Sequence, residues 1–250
     1  MTYNTQNATL AVSLMDLTSL NTDDSQASIS ALVNSINPKL GTPAALCVFS
    51  EFVDDAKIAL ANRLLSHVKV ATVTNFPSGD APLNEVLNET LIALERGADE
   101  IDLVIPYKAL LKGEVDTVLE YVSESKKVCG SRAKLKVIIE TGELKTVAFI
   151  TQATELAIQG GADFVKTSTG KVAVNATLEA TEIMLKTIKK SSKRVGFKAA
   201  GGIKTTVDAN AYLQLATEIM GHDYLAPDTF RFGASSLLND VYKVLNEAQQ

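Results

Sequence analysis

The chain has 250 residues, a formal net charge of −5, 46% hydrophobic residues and 21% charged residues. That length and balance fit one α/β domain with a full core, and the negative charge argues against nucleic acid or an anionic membrane as a partner, so an anionic ligand needs a local site. No apolar run approaches the ~20 residues needed to span a bilayer. Residues 1–8 lack the basic and apolar regions of a signal peptide, which sets the expectation of a cytoplasmic protein. In chain order, short apolar runs predict strands at residues 13–18, 45–49, 69–76, 100–106, 135–141, 164–169, 195–200 and 230–233. Such runs suit parallel strands buried on both faces.

Helical patterns fill the gaps. Leu83, Val86, Leu87, Leu91 and Leu94 share one predicted helical face, with Pro82 near its start and Gly97 placed to end it. A second pattern runs over residues 143–159 and stops at Gly160-Gly161. Eight strands alternating with helices at this length predict a closed TIM (β/α)8 barrel, with residues 1–250 as a single domain. An internal echo supports the repeat. Gly97-Ala98-Asp99 and Gly161-Ala162-Asp163 each precede a strand. The same offset carries Asp102 onto Lys166, and half of it again reaches Lys198. Alternate strands fill one interior layer of such a barrel, so these three residues can meet.

Only Cys47 and Cys129, and only His67 and His222, are present. They form no disulfide framework and no familiar zinc cluster, so no metal is expected. Cys47, in an apolar run, reads as a small buried hydrophobe.

A lysine inside an apolar strand, as Lys166 is in Phe164-Val165-Lys166-Thr167, either reaches out to the rim or carries chemistry. Lys198 on the next strand shifts the balance toward chemistry. Two ammonium groups on adjacent strands each disfavour the other's charge, and burial acts the same way, which yields a neutral, nucleophilic amine. Asp102 is placed to pair with them and to move protons. Glycine-rich segments follow the last three strands: Gly170-Lys171, Gly201-Gly202, and Gly233 with Ser235 and Ser236 at the start of a predicted helix. Loops after strands seven and eight, at a helix N-terminus, commonly hold phosphate in this fold.

These segments resemble those of the class I deoxyribose-phosphate aldolases. The resemblance rests on residues 14–18, 71–77, 97–102, 137–144, 164–175, 196–205 and 231–236, nearly the whole chain, with the stretch around Lys166 the most diagnostic. It implies a lyase that reversibly cleaves 2-deoxy-D-ribose 5-phosphate to acetaldehyde and D-glyceraldehyde 3-phosphate without a metal or other cofactor. In it Lys166 would form the imine, Lys198 would perturb its pKa and Asp102 would donate and accept protons. Gly170, Lys171, Gly201, Gly202, Gly233, Ser235 and Ser236 would bind the phosphate. The partners it implies are small molecules, with self-association into a homodimer compatible with it. Two features depart from the family. The last tyrosine is Tyr242, inside a predicted helix, where many members end in a tyrosine-tipped tail, and Ala199 stands where many have proline. The competing readings are another Schiff-base aldolase or transaldolase, and a barrel that binds phosphosugars without chemistry.

Overall fold

The structure is a computed structural model that describes residues 3–248, with side chains from residue 5. The expectations that rest on residues 1 and 2 and on the last two residues lie outside the described set. Eight parallel strands close into a barrel in sequence order. They are β1 (Met15–Thr18), β2 (Ala45–Val48), β3 (Lys69–Thr74), β4 (Glu100–Val104), β5 (Lys134–Ile138), β6 (Phe164–Lys166), β7 (Gly196–Ala200) and β8 (Phe230–Ala234). Helices pack around the outside, so each strand is covered on both faces and nearly every strand residue is buried. The TIM barrel predicted from the alternation is therefore what the chain adopts, and all eight strands fall on predicted runs.

The differences are local and have physical causes. Residues 13 and 14 do not extend β1, because Tyr3–Ser13 form a helix that Leu14 closes by donating to the Leu10 carbonyl at 3.1 Å. The pattern over 143–159 is two helices, Thr141–Leu144 and Val147–Gln159, broken where Lys145 takes a φ of 61°. On helix Leu83–Glu95 the buried stripe is Val86, Thr90, Ala93 and Leu94, and Leu91 is 39% exposed. Small Ala93, and Thr90 whose hydroxyl folds back onto the Val86 carbonyl at 2.8 Å, let the helix lie close to the sheet. Strand β6 ends early at Lys166. Thr167 still donates its N–H to the Lys198 carbonyl at 3.0 Å, and beyond it the Thr167 side chain takes over, accepting the Ala200 N–H at 3.0 Å.

The sequence echo has an atomic basis. Asp99 accepts from Lys57 Nζ at 2.6 Å and from the Val70 N–H at 2.7 Å. Asp163 accepts from Lys126 Nζ at 2.6 Å and from the Leu135 N–H at 2.7 Å. Each aspartate ties the start of the preceding strand to the helix that leads into that strand. The two motifs therefore do the same mechanical job two βα units apart.

Candidate active site

Register brings the predicted residues together. Lys166 lies beside Lys198 across β6 and β7, and Asp102 lies beside Lys136 across β4 and β5. Inside the barrel the Lys166 and Lys198 ammoniums share one oxygen, Asp102 Oδ2, each at 2.8 Å. The other oxygen, Oδ1, accepts Lys136 Nζ at 2.8 Å. Asp16 on β1 bonds Lys198 closely and sits 3.2 Å from Lys136. Glu100 accepts Lys136 at 2.6 Å and Arg231 at 2.9 Å, and Arg231 also reaches Asp16. Four cations thus meet three carboxylates, and none of the seven residues is more than 3% exposed.

Each protonation state follows from the partners. Burial alone would raise the carboxyl pKa of Asp16 and Asp102, but the surrounding lysines override it and hold both well below the usual carboxylate range. Burial opposes charge on Lys136 too, yet Asp102, Asp16 and Glu100 push its pKa well above that of an ordinary lysine. Lys198 is likewise raised by Asp102 and Asp16 against burial. Lys166 goes the other way. Burial lowers it, Asp102 offsets only part of that, and Lys198 pushes it down further. The sequence argument made each lysine discourage charge on the other. In the barrel the effect is one-sided, because Lys198 has two carboxylates in contact and Lys166 has one.

The opposite interior wall is apolar. Leu20, Cys47, Ala71 and Val73 form a separate cluster with Phe49 and Phe76 packed on it. The cluster draws on β2 and β3, which lie across the barrel from the β6 and β7 lysines, and Val73 is the register partner of Asp102 on the neighbouring β4, where the apolar and charged sides meet. Cys47 is fully buried there, and burial raises its thiol pKa, in line with the reading of a small packed residue.

Lys166 opens onto a cavity of about 230 Å³ at the C-terminal end of the strands. All seven predicted phosphate-site residues line it: Gly170, Lys171, Gly201, Gly202, Gly233, Ser235 and Ser236. Gly201 and Gly202 have φ values of 84° and 86°, which only glycine adopts readily. Helix Leu237–Glu247 begins beside it with no side-chain cap at Ser236, a residue that lines the cavity, so the helix's first amide N–H groups are left without a side-chain partner. Lys171 bends over the edge, donating to the Leu20 carbonyl at 2.7 Å. Gly233 has a second reason to lack a side chain, since a Cβ there would come within 3.0 Å of Lys198 Cε. A larger cavity of about 630 Å³ lies at the other end, lined by the strand starts Lys69, Glu100 and Lys134. Chemistry in this fold gathers at the C-terminal end, and the smaller cavity is the one that reaches the lysine.

Sequence reasoning missed Lys136, Glu100, Asp16 and Arg231 as members of this site. The signal was present for two of them: Lys136 is a lysine in an apolar strand, as Lys166 is, and Glu100 stands two residues before Asp102 on the same strand face. It also missed Glu140, a buried residue at φ 56° whose carboxylate accepts the Thr169 hydroxyl at 2.6 Å and shapes the loop before Gly170. Among the described residues no group of three or more His, Cys, Asp or Glu side chains is set to hold a metal ion. No helix among them is long and apolar enough to cross a membrane.

A closed barrel with lysines and a carboxylate beneath a glycine-lined, helix-capped cavity defines a barrel aldolase class. Residues 10–243 match the model of the DeoC/LacD family aldolases, and the chain belongs to that family. The deoxyribose-phosphate aldolase of Agrobacterium fabrum is 50% identical over 239 residues, covering 95% of this chain and 91% of that one. Among solved structures, a protein of Toxoplasma gondii provisionally named deoxyribose-phosphate aldolase matches with a TM-score of 0.89 at 25% identity, over 98% of each chain. A tetrameric deoxyribose phosphate aldolase from Aeropyrum pernix matches with a TM-score of 0.74 at 26% identity, over 99% of this chain and 97% of that one.

Proposed function

We infer that the chain is a carbon–carbon lyase acting on 2-deoxy-D-ribose 5-phosphate, and that it works through an imine on Lys166. The observation that carries the imine is the charge pattern: Lys166 is the one lysine of the buried set with a single carboxylate partner, a lowered pKa and a face on the cavity. A neutral amine is the nucleophile that this chemistry requires.

The geometry supports the following steps. The phosphate sits among the uncapped amides of helix Leu237–Glu247 and the hydroxyls of Ser235 and Ser236, with the glycines letting backbone N–H groups approach. That places the aldehyde carbon at Lys166. The amine adds to it, and the carbinolamine loses water to give a protonated imine. A base takes the proton from the C3 hydroxyl, the C2–C3 bond breaks, and its electron pair flows into the imine nitrogen. Glyceraldehyde 3-phosphate leaves and an enamine remains. Protonation of the enamine carbon and addition of water release acetaldehyde and restore the amine. Asp102, within 2.8 Å of Lys166 Nζ, accepts and returns protons directly or through water. Its strong ion pairing keeps it a carboxylate between turnovers. The apolar wall of Leu20, Cys47, Ala71 and Val73 suits the two-carbon fragment and keeps the local dielectric low. The scheme uses no metal or other cofactor. Its partners are these small molecules, a cytoplasmic setting goes with a phosphosugar substrate, and sedimentation would read whether two copies pair.

The test is to incubate the protein with acetaldehyde or the deoxysugar phosphate in EDTA, add borohydride, and map the modified peptide by mass spectrometry. A two-carbon adduct on Lys166 is expected. An adduct on Lys198 would reverse the roles of the two lysines. No adduct on a folded protein would leave only a phosphosugar-binding barrel.

A further inference from the structure

The buried set carries one cation more than it has carboxylates, and one member cannot respond. Arg231 keeps its guanidinium charged at any working pH, so the excess must be relieved at a lysine. Lys136 touches three carboxylates: Asp16 at 3.2 Å, Glu100 at 2.6 Å and Asp102 at 2.8 Å. Lys198 touches two, and Lys166 touches one. The proton is held least firmly at Lys166. Removing a cation anywhere in the set relieves this pressure, and removing a carboxylate increases it.

Glu100 and Arg231 lie at the far end of the set. They line the cavity at the N-terminal end of the barrel, whereas Lys166 lines the one at the C-terminal end. Neither residue is ion-paired with Lys166, whose partner is Asp102. They act on it only through Lys136 and Asp16, and from there through Asp102 and Lys198. Phe164 supports Arg231 from below, with the guanidinium 5.7 Å from its ring centre. Gly196 beside it must lack a side chain, because a Cβ there would lie 2.4 Å from that ring. The barrel floor is thus built to keep this cation in place.

We propose that Arg231 and Glu100 are positioning residues that set the protonation of Lys166 from the opposite end of the barrel. The groups facing Lys166 are Asp102 on β4, Lys198 on β7, Cys47 on β2 and Glu140 after β5, with Lys136 on β5 and Asp16 on β1 one contact further away, behind Asp102 and Lys198. Among them burial raises the Cys47 thiol and the Glu140 carboxylate accepts the Thr169 hydroxyl, and neither is bonded to Arg231 or Glu100, so both stay the same in every variant. The proposal rests on the reading of Lys166 as the nucleophile, and its test separates the two.

The test uses Arg231→Met, Glu100→Gln, the double variant and Arg231→Lys in the full-length protein. For each, the rate of borohydride-trapped adduct formation with acetaldehyde is measured from pH 5 to 10, with the adduct mapped by mass spectrometry. Arg231→Met is expected to raise the midpoint of the acid limb by about one pH unit, and Glu100→Gln to lower it by a similar amount. The double variant returns it close to the parent, and Arg231→Lys leaves it there. A purely structural role would slow both single variants without moving their midpoints in opposite directions. Midpoints that stay put, or move the same way, overturn the proposal. If Arg231→Met does not fold, Glu100→Gln and Arg231→Lys still decide it. A parent adduct on Lys198 instead overturns both this proposal and the reading beneath it.

Discussion

Replacing Lys198 with methionine tests the electrostatic account of the nucleophile directly. Lys166 and Lys198 each sit 2.8 Å from Asp102 Oδ2, so their ammoniums can be no more than 5.6 Å apart. At about 5 Å and an effective dielectric of about 20, their repulsion is about 3 kcal/mol, or roughly two pKa units. The substitution also leaves Asp102 to two lysines, which strengthens its hold on the proton of Lys166. Asp16 keeps Lys136 and Arg231, so no carboxylate is orphaned and the fold should survive. The Lys166 pKa should therefore rise, and the free amine at pH 7 should fall by roughly a hundredfold. The assay is kcat/KM for 2-deoxyribose 5-phosphate from pH 6 to 10, beside the rate of borohydride trapping. Both should fall by about that factor at pH 7 and recover in large part toward pH 10. A loss of the same size at every pH would refute the reasoning, because Lys198 would then act by contact and not by charge.

Ser236→Asp places a carboxylate at the uncapped start of helix Leu237–Glu247, inside the cavity. KM for the phosphorylated sugar should rise at least about tenfold, while turnover of unphosphorylated 2-deoxyribose stays nearly unchanged. Gly233→Ala adds a Cβ 2.9 Å from the Ala200 Cβ and 3.0 Å from Lys198 Cε. Chemical denaturation should show a loss of about 1–3 kcal/mol, and kcat should fall as the lysine is displaced. Asp16 and Asp102 have lowered pKa values in the folded state. The stability they contribute is complete above about pH 4, where unfolded aspartates are already ionised, and it is lost as pH falls below that. Lys136 and Lys198 are raised, so theirs is complete below about pH 10 and is lost as pH rises through their folded values. Calorimetry should find Tm nearly flat between these limits and falling at both ends. A steady decline across pH 5–8 would mean that other groups dominate.

The strand runs, their alternation with helices and the barrel closure could all be read from one dimension, because they depend on local apolar patterning and chain length. The three polar residues in strand-like runs could be found too, since a charge inside such a run stands out and the two Gly-Ala-Asp motifs gave the offset linking Asp102 to Lys166. The loops that line the cavity at the C-terminal end of the strands were legible because glycine and serine mark where backbone is exposed. Strand register and barrel packing decided the rest. They brought Asp16 and Arg231 to strands 182 and 33 residues away in sequence from Lys198 (Lys198 − Asp16 and Arg231 − Lys198). They also gave Lys198 two carboxylates in contact and Lys166 one. The sequence by itself determined which residues could carry charge inside the barrel. Only the tertiary structure decided how many opposite charges each of them touches, and in a buried, low-dielectric cluster that number governs how firmly each group holds its proton.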